Sequence, residues 1–201
     1  MRDTVIVFAR APRLGTVKRR LAKDIGDRAA LRFHTGTLLR LLRDLLRDRR
    51  FRTVLALTPD GARDRLPIRV RRIAQGSGDI GARMTAACRR FRHGNVAVIG
   101  SDIPDANAAD LRAAFRALGR HDAVFGPAED GGYWLVALGP RRPAQPFDNA
   151  RWSTEHALAD TLRNFRGRRV ARIRMLRDVD TACDLPPHPR RSRLMGKDET
   201  R

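Results

Sequence analysis

The sequence predicts an α/β domain with a largely parallel sheet and helices on both faces, and three observations carry that expectation. Seven short runs rich in β-branched and apolar residues recur along the 201 residues. Most are separated by stretches of helical periodicity, the alternation that builds parallel sheets. Two runs, 123–126 and 133–138, follow each other too closely for a crossover helix, so part of the sheet is expected to be antiparallel. With no internal repeat or linker, the chain reads as one domain over residues 1–185 and a proline- and charge-rich tail, 186–201, without fixed structure.

The first strand is expected at 4–9, and its apolar core, 5–9, is too short for a signal peptide's central segment of ~7–15 residues. No stretch approaches the ~18 apolar residues of a membrane helix, so the sequence reads as soluble and cytoplasmic. ARAPRLGTVKRRLA follows at 9–22. Gly15 permits a tight turn there, and Lys18 with a nascent helix N-terminus offers positive potential suited to a phosphate, although the Walker pattern is absent. The alternative is a plain basic connection with a solvated lysine. Because 39 of the 42 basic residues are arginine, a lysine at 18 suggests that a compact point charge is wanted.

Leu31, Leu38, Leu42 and Leu45, with Arg40, Arg43 and Arg47 on other faces, predict a helix over 27–49. Strands follow at 53–58 and 70–74, a helix at 80–91, and a strand at 95–100. Beyond that strand come Asp102 and Asp105, in the place where open α/β sheets bind ligands. Their carboxylates suit Mg²⁺ or Mn²⁺, or else one of them caps a helix beginning near Asn107 and running over 108–118. The strands at 123–126 and 133–138 flank AEDGG; a helix at 154–164 has Ser153 as its natural cap; and the last strand, 170–175, leads into LRDVDTACDL. In that final stretch Asp178 and Asp180 precede a helical turn opened by Thr181 and containing Asp184. Trp134 and Trp152 are expected to pack in the core or at its rim.

A net charge of +20 and a pI near 11.7 warn of polyanion binding. The arginines, however, are strewn along the whole chain without interleaved aromatics, which argues against nucleic acid as the partner. Two windows, 93–111 and 121–140, hold no Lys or Arg. They carry instead Asp102, Asp105 and Asp110 in the first, and Asp122, Glu129 and Asp130 in the second. If Asp102, Asp130 and Asp180 meet in one crevice, each pair at about 4 Å costs on the order of 4 kcal/mol at an effective dielectric of 20, which a divalent cation removes. Cys88 and Cys183 have neither pairing nor metal-ligand spacing and read as two reduced, partly buried thiols.

Taken together, Lys18 with Arg20-Leu21-Ala22, Gln75-Gly76 with Asp79, Gly81, Arg83 and Met84, then GSDIP, GPAEDGGYWL, RWST and DVDTACDL resemble a bacterial family, DUF2064. It is a family of glycosyltransferases of the selenodomain-associated or arsenosugar-biosynthesis type, and the likeness spans residues 4–185. The resemblance implies a three-layer α/β/α, GT-A-like nucleotide-diphospho-sugar transferase fold with a mostly parallel, mixed sheet. At greater distance the chain is similar to 2-phospho-lactate guanylyltransferases and molybdenum-cofactor nucleotidyltransferases.

Carried onto this sequence, the resemblance implies nucleotide binding by Ala11, Gly15, Lys18, Gln75 and Gly76, and a divalent metal, Mg²⁺ or Mn²⁺, at Asp102 and Asp180. It also implies a sugar or acceptor at Gly131, Gly132 and Tyr133, the two glycines leaving backbone bare for close approach, with Asp130 as the catalytic group. Glu129 then only shapes the turn. One departure is visible: where the family reads Lys-Thr-Arg-Leu, this chain has Lys18-Arg19-Arg20-Leu21, a guanidinium in place of a hydroxyl.

The function expected is metal-dependent transfer of a sugar from a nucleotide-sugar to a small-molecule acceptor. Two alternatives stand beside it. One is nucleotidyl transfer to a phosphorylated small molecule; the other is a basic nucleic-acid-binding protein on a degenerate transferase fold.

Overall fold

The computed structural model describes residues 2–62 and 64–185, so the predicted tail lies outside the described residues. Seven strands form one sheet: β1 (Asp3–Arg10), β2 (Phe51–Thr58), β3 (Arg71–Ala74), β4 (Val96–Gly100), β5 (Ala123–Pro127), β6 (Tyr133–Leu138) and β7 (Val170–Arg172), in the order β3-β2-β1-β4-β6-β5-β7. Strand β6 runs antiparallel to both its neighbours, and all other pairings are parallel. This is the mixed α/β architecture expected, and the physical reason is the short β5–β6 connection, which admits only a hairpin.

Positions 4–9 of the central strand β1 are all buried. Val5, Val7 and Ala9 pack with Leu38, Leu41, Leu42 and Leu45 of helix α2 (Asp27–Arg47) and Leu111 and Ala114 of helix α4 (Ala108–Ala117). Ile6 and Phe8 pack on the other face with Met84, Ala87 and Cys88 of helix α3 (Ile80–Arg89), and Leu158 and Leu162 of helix α5 (Ala157–Arg163) border the same cluster. The period of two thus divides one strand between two cores and produces three layers. Helix α1 (Arg19–Ile25) joins α2 through Gly26, whose φ of 82° turns the chain.

Several boundaries differ from expectation. Ser153 is not a cap: it sits at φ 61°, and α5 begins only after His156, three residues later than predicted. The last strand is three residues long, Val170–Arg172 rather than 170–175, and its regular pairing ends before Pro127 of β5, which has no N–H to give a ladder. Beyond it the chain still follows β5, with single bonds from Ile173 N to Phe125 O and Leu176 N to Pro127 O. Neither Asp102 nor Asp105 caps α4; Asn107 does, in a reciprocal capping box with Asp110. Cys88 is buried as expected, whereas Cys183 is exposed, and neither forms a disulfide. No described helix is long and apolar enough to cross a membrane.

Candidate functional site

The strand order reverses between β1 and β4, so the chain leaves these neighbours in opposite directions and opens a crevice at their carboxyl ends. The segment after β1 is tied down by Val17, which is buried, and places Lys18 at φ 47° as the residue before α1. The Lys18 side chain is only 5% exposed, and its Nζ lies 3.1 Å from Asp102 Oδ2 and 3.0 Å from Asp180 Oδ1. Burial alone would lower the ammonium's pKa, but the two carboxylates outweigh it and leave the value raised.

Asp102, two residues beyond β4, is the hub. Burial works to raise its pKa, while the His34 hydrogen bond, the Lys18 charge and the charge of His34 win and hold it at about 2. His34, from the buried face of α2, places Nδ1 3.3 Å from Asp102 Oδ1 and Nε2 3.0 Å from the Arg10 carbonyl. Both ring nitrogens therefore face acceptors, and the Ser101 hydroxyl donates to Asp102 as well, at 3.3 Å. Asp180 also pairs with Arg20 at 3.3 Å. Its neighbour Asp178 has a raised pKa, first from burial and then from the charges of Asp180 and Asp130.

A cleft of about 510 Å³ opens on one side of Asp102, lined by Thr16, Lys18, Arg19, Arg20 and Arg83 among others. Several residues expected at the nucleotide also hold the fold together, and of them Lys18 and Gln75 line this cleft. The Ala11 N–H is spent on Thr58 O, at 2.8 Å, and its side chain is buried. Gln75 donates its amide to Ala9 O at 3.1 Å and Ala56 O at 2.8 Å, pinning β1 to β2, and accepts from Arg83 at 3.2 Å, so its side chain is already committed. The Gly76 N–H is bound by Asp60 at 3.0 Å. Gly15, at φ 71°, lies in a separate depression with Lys23 and Gly26. Lys18, expected to face a phosphate, here spans two carboxylates.

On the other side of Asp102 lies a second cavity, of about 260 Å³, walled by apolar and aromatic side chains and edged by Asp102, Asp130 and Asp178. Phe8, Ile80, Gly100 and Asp102 line both spaces. The glycines of the β5–β6 turn serve the fold, and Gly132 also lines this cavity. At φ 83°, a Cβ on Gly131 would lie 2.6 Å from Glu155 Cα, and the Gly131 carbonyl accepts from Leu158 N at 3.1 Å. Gly132 N is taken by Asp130 Oδ1 at 2.9 Å. Tyr133 contributes its ring to the cavity while its hydroxyl meets Thr161, at 3.4 Å. Glu129 is exposed and 3.8 Å from Arg177.

Asp102, Asp130 and Asp180, distant in sequence, thus border one continuous crevice. As donors they suit a hard divalent cation: the gap between Asp102 and Asp180 already holds a cation, the Lys18 ammonium. No cluster of three or more His, Cys, Asp or Glu among the described residues would hold a metal without help. Magnesium-type ions are usually bound by one or two carboxylates together with substrate phosphates, so the fit is to a phosphate-completed site rather than a protein cage.

Sequence reasoning missed His34, although a signal was present: Ala30, His34, Leu38, Leu41 and Leu45 share the buried face of one helix, and a histidine there needs partners. It also gave no cleft role to Thr16 or Arg20, nor any to Arg19 beyond its departure from the family pattern.

Residues 41–154 match the family described as uncharacterized proteins conserved in bacteria, DUF2064. Among solved structures, a "putative nucleotide-diphospho-sugar transferase" from Desulfovibrio desulfuricans G20 is 28% identical, with a TM-score of 0.83 over 90% of this chain and 84% of that one. A 4-diphosphocytidyl-2C-methyl-D-erythritol synthase from Anaerococcus prevotii DSM 20548 is 11% identical, with a TM-score of 0.61 and coverage of 91% and 94%. A manganese complex of Rv0371C from Mycobacterium tuberculosis H37Rv is 15% identical, with a TM-score of 0.55 and coverage of 92% and 96%. The last two likenesses carry the fold alone. No curated protein matches the sequence. With the family match covering more than half of the chain, and the fold agreeing throughout, the chain belongs to the DUF2064 family.

Proposed function

We propose that the chain is a metal-dependent transferase that passes a glycosyl group from a nucleotide-sugar to a hydroxyl of a small-molecule acceptor. The observation that carries this reading is the position of Asp102 on the seam between a cation-lined cleft and an acid-edged apolar cavity. Such a seam suits a reaction in which a group leaves a phosphate on one side and joins a neutral molecule on the other. The name given to the Desulfovibrio protein, at 28% identity, supports the same class.

Lys18, Arg19, Arg20 and Arg83 supply the positive potential for a diphosphate. Asp102 and Asp180 would hold Mg²⁺ or Mn²⁺, which when bound neutralises the departing diphosphate. Lys18, whose ammonium now lies on the same oxygens, would then be released to face phosphate. His34 and Ser101 orient the Asp102 carboxylate from behind. Asp130, with Oδ1 held by Gly132 N, presents its other oxygen to orient or deprotonate the acceptor hydroxyl. The acceptor oxygen bonds to the anomeric carbon, the bond from that carbon to phosphate oxygen breaks, and the proton passes to Asp130.

The number of cations in the cleft also suits a triphosphate, which favours nucleotidyl transfer as the second reading. Thermal shift with nucleotide-sugars and nucleoside triphosphates, with and without Mn²⁺, tests ligand binding. Product analysis then separates the two, because only nucleotidyl transfer releases pyrophosphate. Absence of any metal-dependent shift would remove both, and salt-sensitive DNA binding unaffected by Asp102→Asn would favour the polyanion alternative.

A further inference from the structure

The chain contains 42 Lys and Arg residues, yet among the described residues none lines the cavity bounded by Trp134 and Trp152. No histidine lines it either, whereas three aspartates do. The neighbouring cleft, which shares its Phe8, Ile80, Gly100 and Asp102 boundary, carries Lys18 and four arginines. This contrast selects by charge. A phosphoryl or carboxylate group entering the smaller cavity would face Asp130 and Asp178 and meet no guanidinium or ammonium to compensate.

The walls select by polarity. Ile80, Met84, Val98 and Val136 offer no hydrogen bonds, the Tyr133 hydroxyl is turned to Thr161, and the Thr154 hydroxyl donates to the Arg151 carbonyl, which leaves the exposed Ser153 as the one other hydroxyl among the described lining residues. The Tyr133 and Trp152 rings stand edge to face, with centroids 6.1 Å apart and planes at 70°, so aromatic surface borders the space. A dry cavity of about 150 Å³ is enough for benzene, so about 260 Å³ admits a ring with substituents.

We propose that this cavity is the acceptor subsite and takes an uncharged or cationic small molecule, with an apolar body against Ile80, Met84 and Trp152 and a hydroxyl or amine at the carboxylate mouth, while excluding phosphorylated acceptors. The word acceptor rests on the transferase reading; the charge and polarity of the occupant do not. A cationic amine gains from both the carboxylates and the aromatic faces, and a neutral alcohol from Asp130 alone.

The chain's only two tryptophans both line the cavity, so intrinsic fluorescence reports its occupation. The full chain is titrated with benzyl alcohol, benzylamine and benzyl phosphate at fixed ionic strength, with inorganic phosphate present to fill the basic cleft. Saturable fluorescence changes are expected from the alcohol and the amine, with benzyl phosphate at least tenfold weaker and unable to displace benzyl alcohol. In an Asp130→Asn, Asp178→Asn double variant that gap should shrink severalfold. The proposal is overturned if benzyl phosphate binds as tightly as the alcohol, or if none of the three probes perturbs the tryptophans. A parallel titration with a nucleotide-sugar and Mn²⁺ keeps the outcomes separate: alcohol binding without nucleotide binding sinks the transferase reading and leaves the subsite, and the reverse sinks the subsite alone.

Discussion

The two spaces that meet at Asp102 share strands β1 and β4 yet differ in sign and polarity. The larger takes its charge from the segment after β1 and from Arg83 of α3; the smaller takes its acids from the β5–β6 turn and from Asp178. Strand interiors supply little charge in either case. The few residues just past each strand therefore set the character of such a crevice, and a chain of net charge +20 can still keep one pocket free of cations among its described residues.

The largest expected effect comes from the shared residue. Asp102→Ala should remove any Mn²⁺-dependent thermal shift with nucleotide ligands and lower transfer by roughly 10³-fold, as loss of a transition-state charge stabiliser does. A retained full shift would show that Asp102 does not join the two spaces through a metal. Next is the turn that frames the smaller cavity. Gly131→Ala places a methyl group against the Glu155 backbone at positive φ and should cost about 3 kcal/mol in denaturant unfolding, whereas Gly132→Ala meets only the Asp130 side chain, at 3.1 Å, and should cost far less. Equal effects would mean the turn is set by something other than packing.

Lys18→Met probes the larger cleft. It should weaken nucleotide affinity by roughly 30-fold while strengthening the binding of Mn²⁺ alone, because the ammonium no longer occupies the carboxylate gap. It should also move the Asp102 titration upward. Asp102 is depressed in the folded state, so its stabilising contribution is complete above the ordinary carboxylate value of 3.8 and fades as pH falls toward about 2. Without Lys18 the folded value moves back toward 3.8, so Asp102 contributes less and its smaller loss is complete at higher pH, readable as a weaker pH dependence of acid unfolding.

The smallest effect has the opposite sign. Asp178 is raised by burial and by Asp180 and Asp130, so its ionisation opposes folding as pH climbs above 3.8. Asp178→Asn should therefore stabilise the protein slightly at neutral pH and not at all well below 3.8, as read in denaturant unfolding at the two pH values. A destabilised variant would mean that Asp178 has a cationic partner, and the charge contrast between the two spaces would weaken.

Much of this was legible before any coordinates. The strands could be read because their apolar runs are bounded by turn residues, and Asp102 because an aspartate just past a strand has few other places to point. His34 was readable in principle from its helical register with Ala30 and Leu38. The role of Gly131 was not, since its need for a missing side chain comes from Glu155, which belongs to a different segment. Ser153 looked like a cap by residue type, but local chemistry only proposes caps; the left-handed turn at 153 moved the helix start to His156.

By itself, then, the order of residues determined the layers, the mixed sheet and which end of the strands would carry charge, because these follow from periodicity and connection length between near neighbours. Only the tertiary structure decided that Lys18 would lie between Asp102 and Asp180, that the Gln75 amide would be spent on β1 and β2, and that the acids would divide the crevice into a basic and an acidic half. Pairings between groups scores of residues apart depend on the assembled sheet for their distances, and at these separations a shift of one or two ångströms exchanges one partner for another.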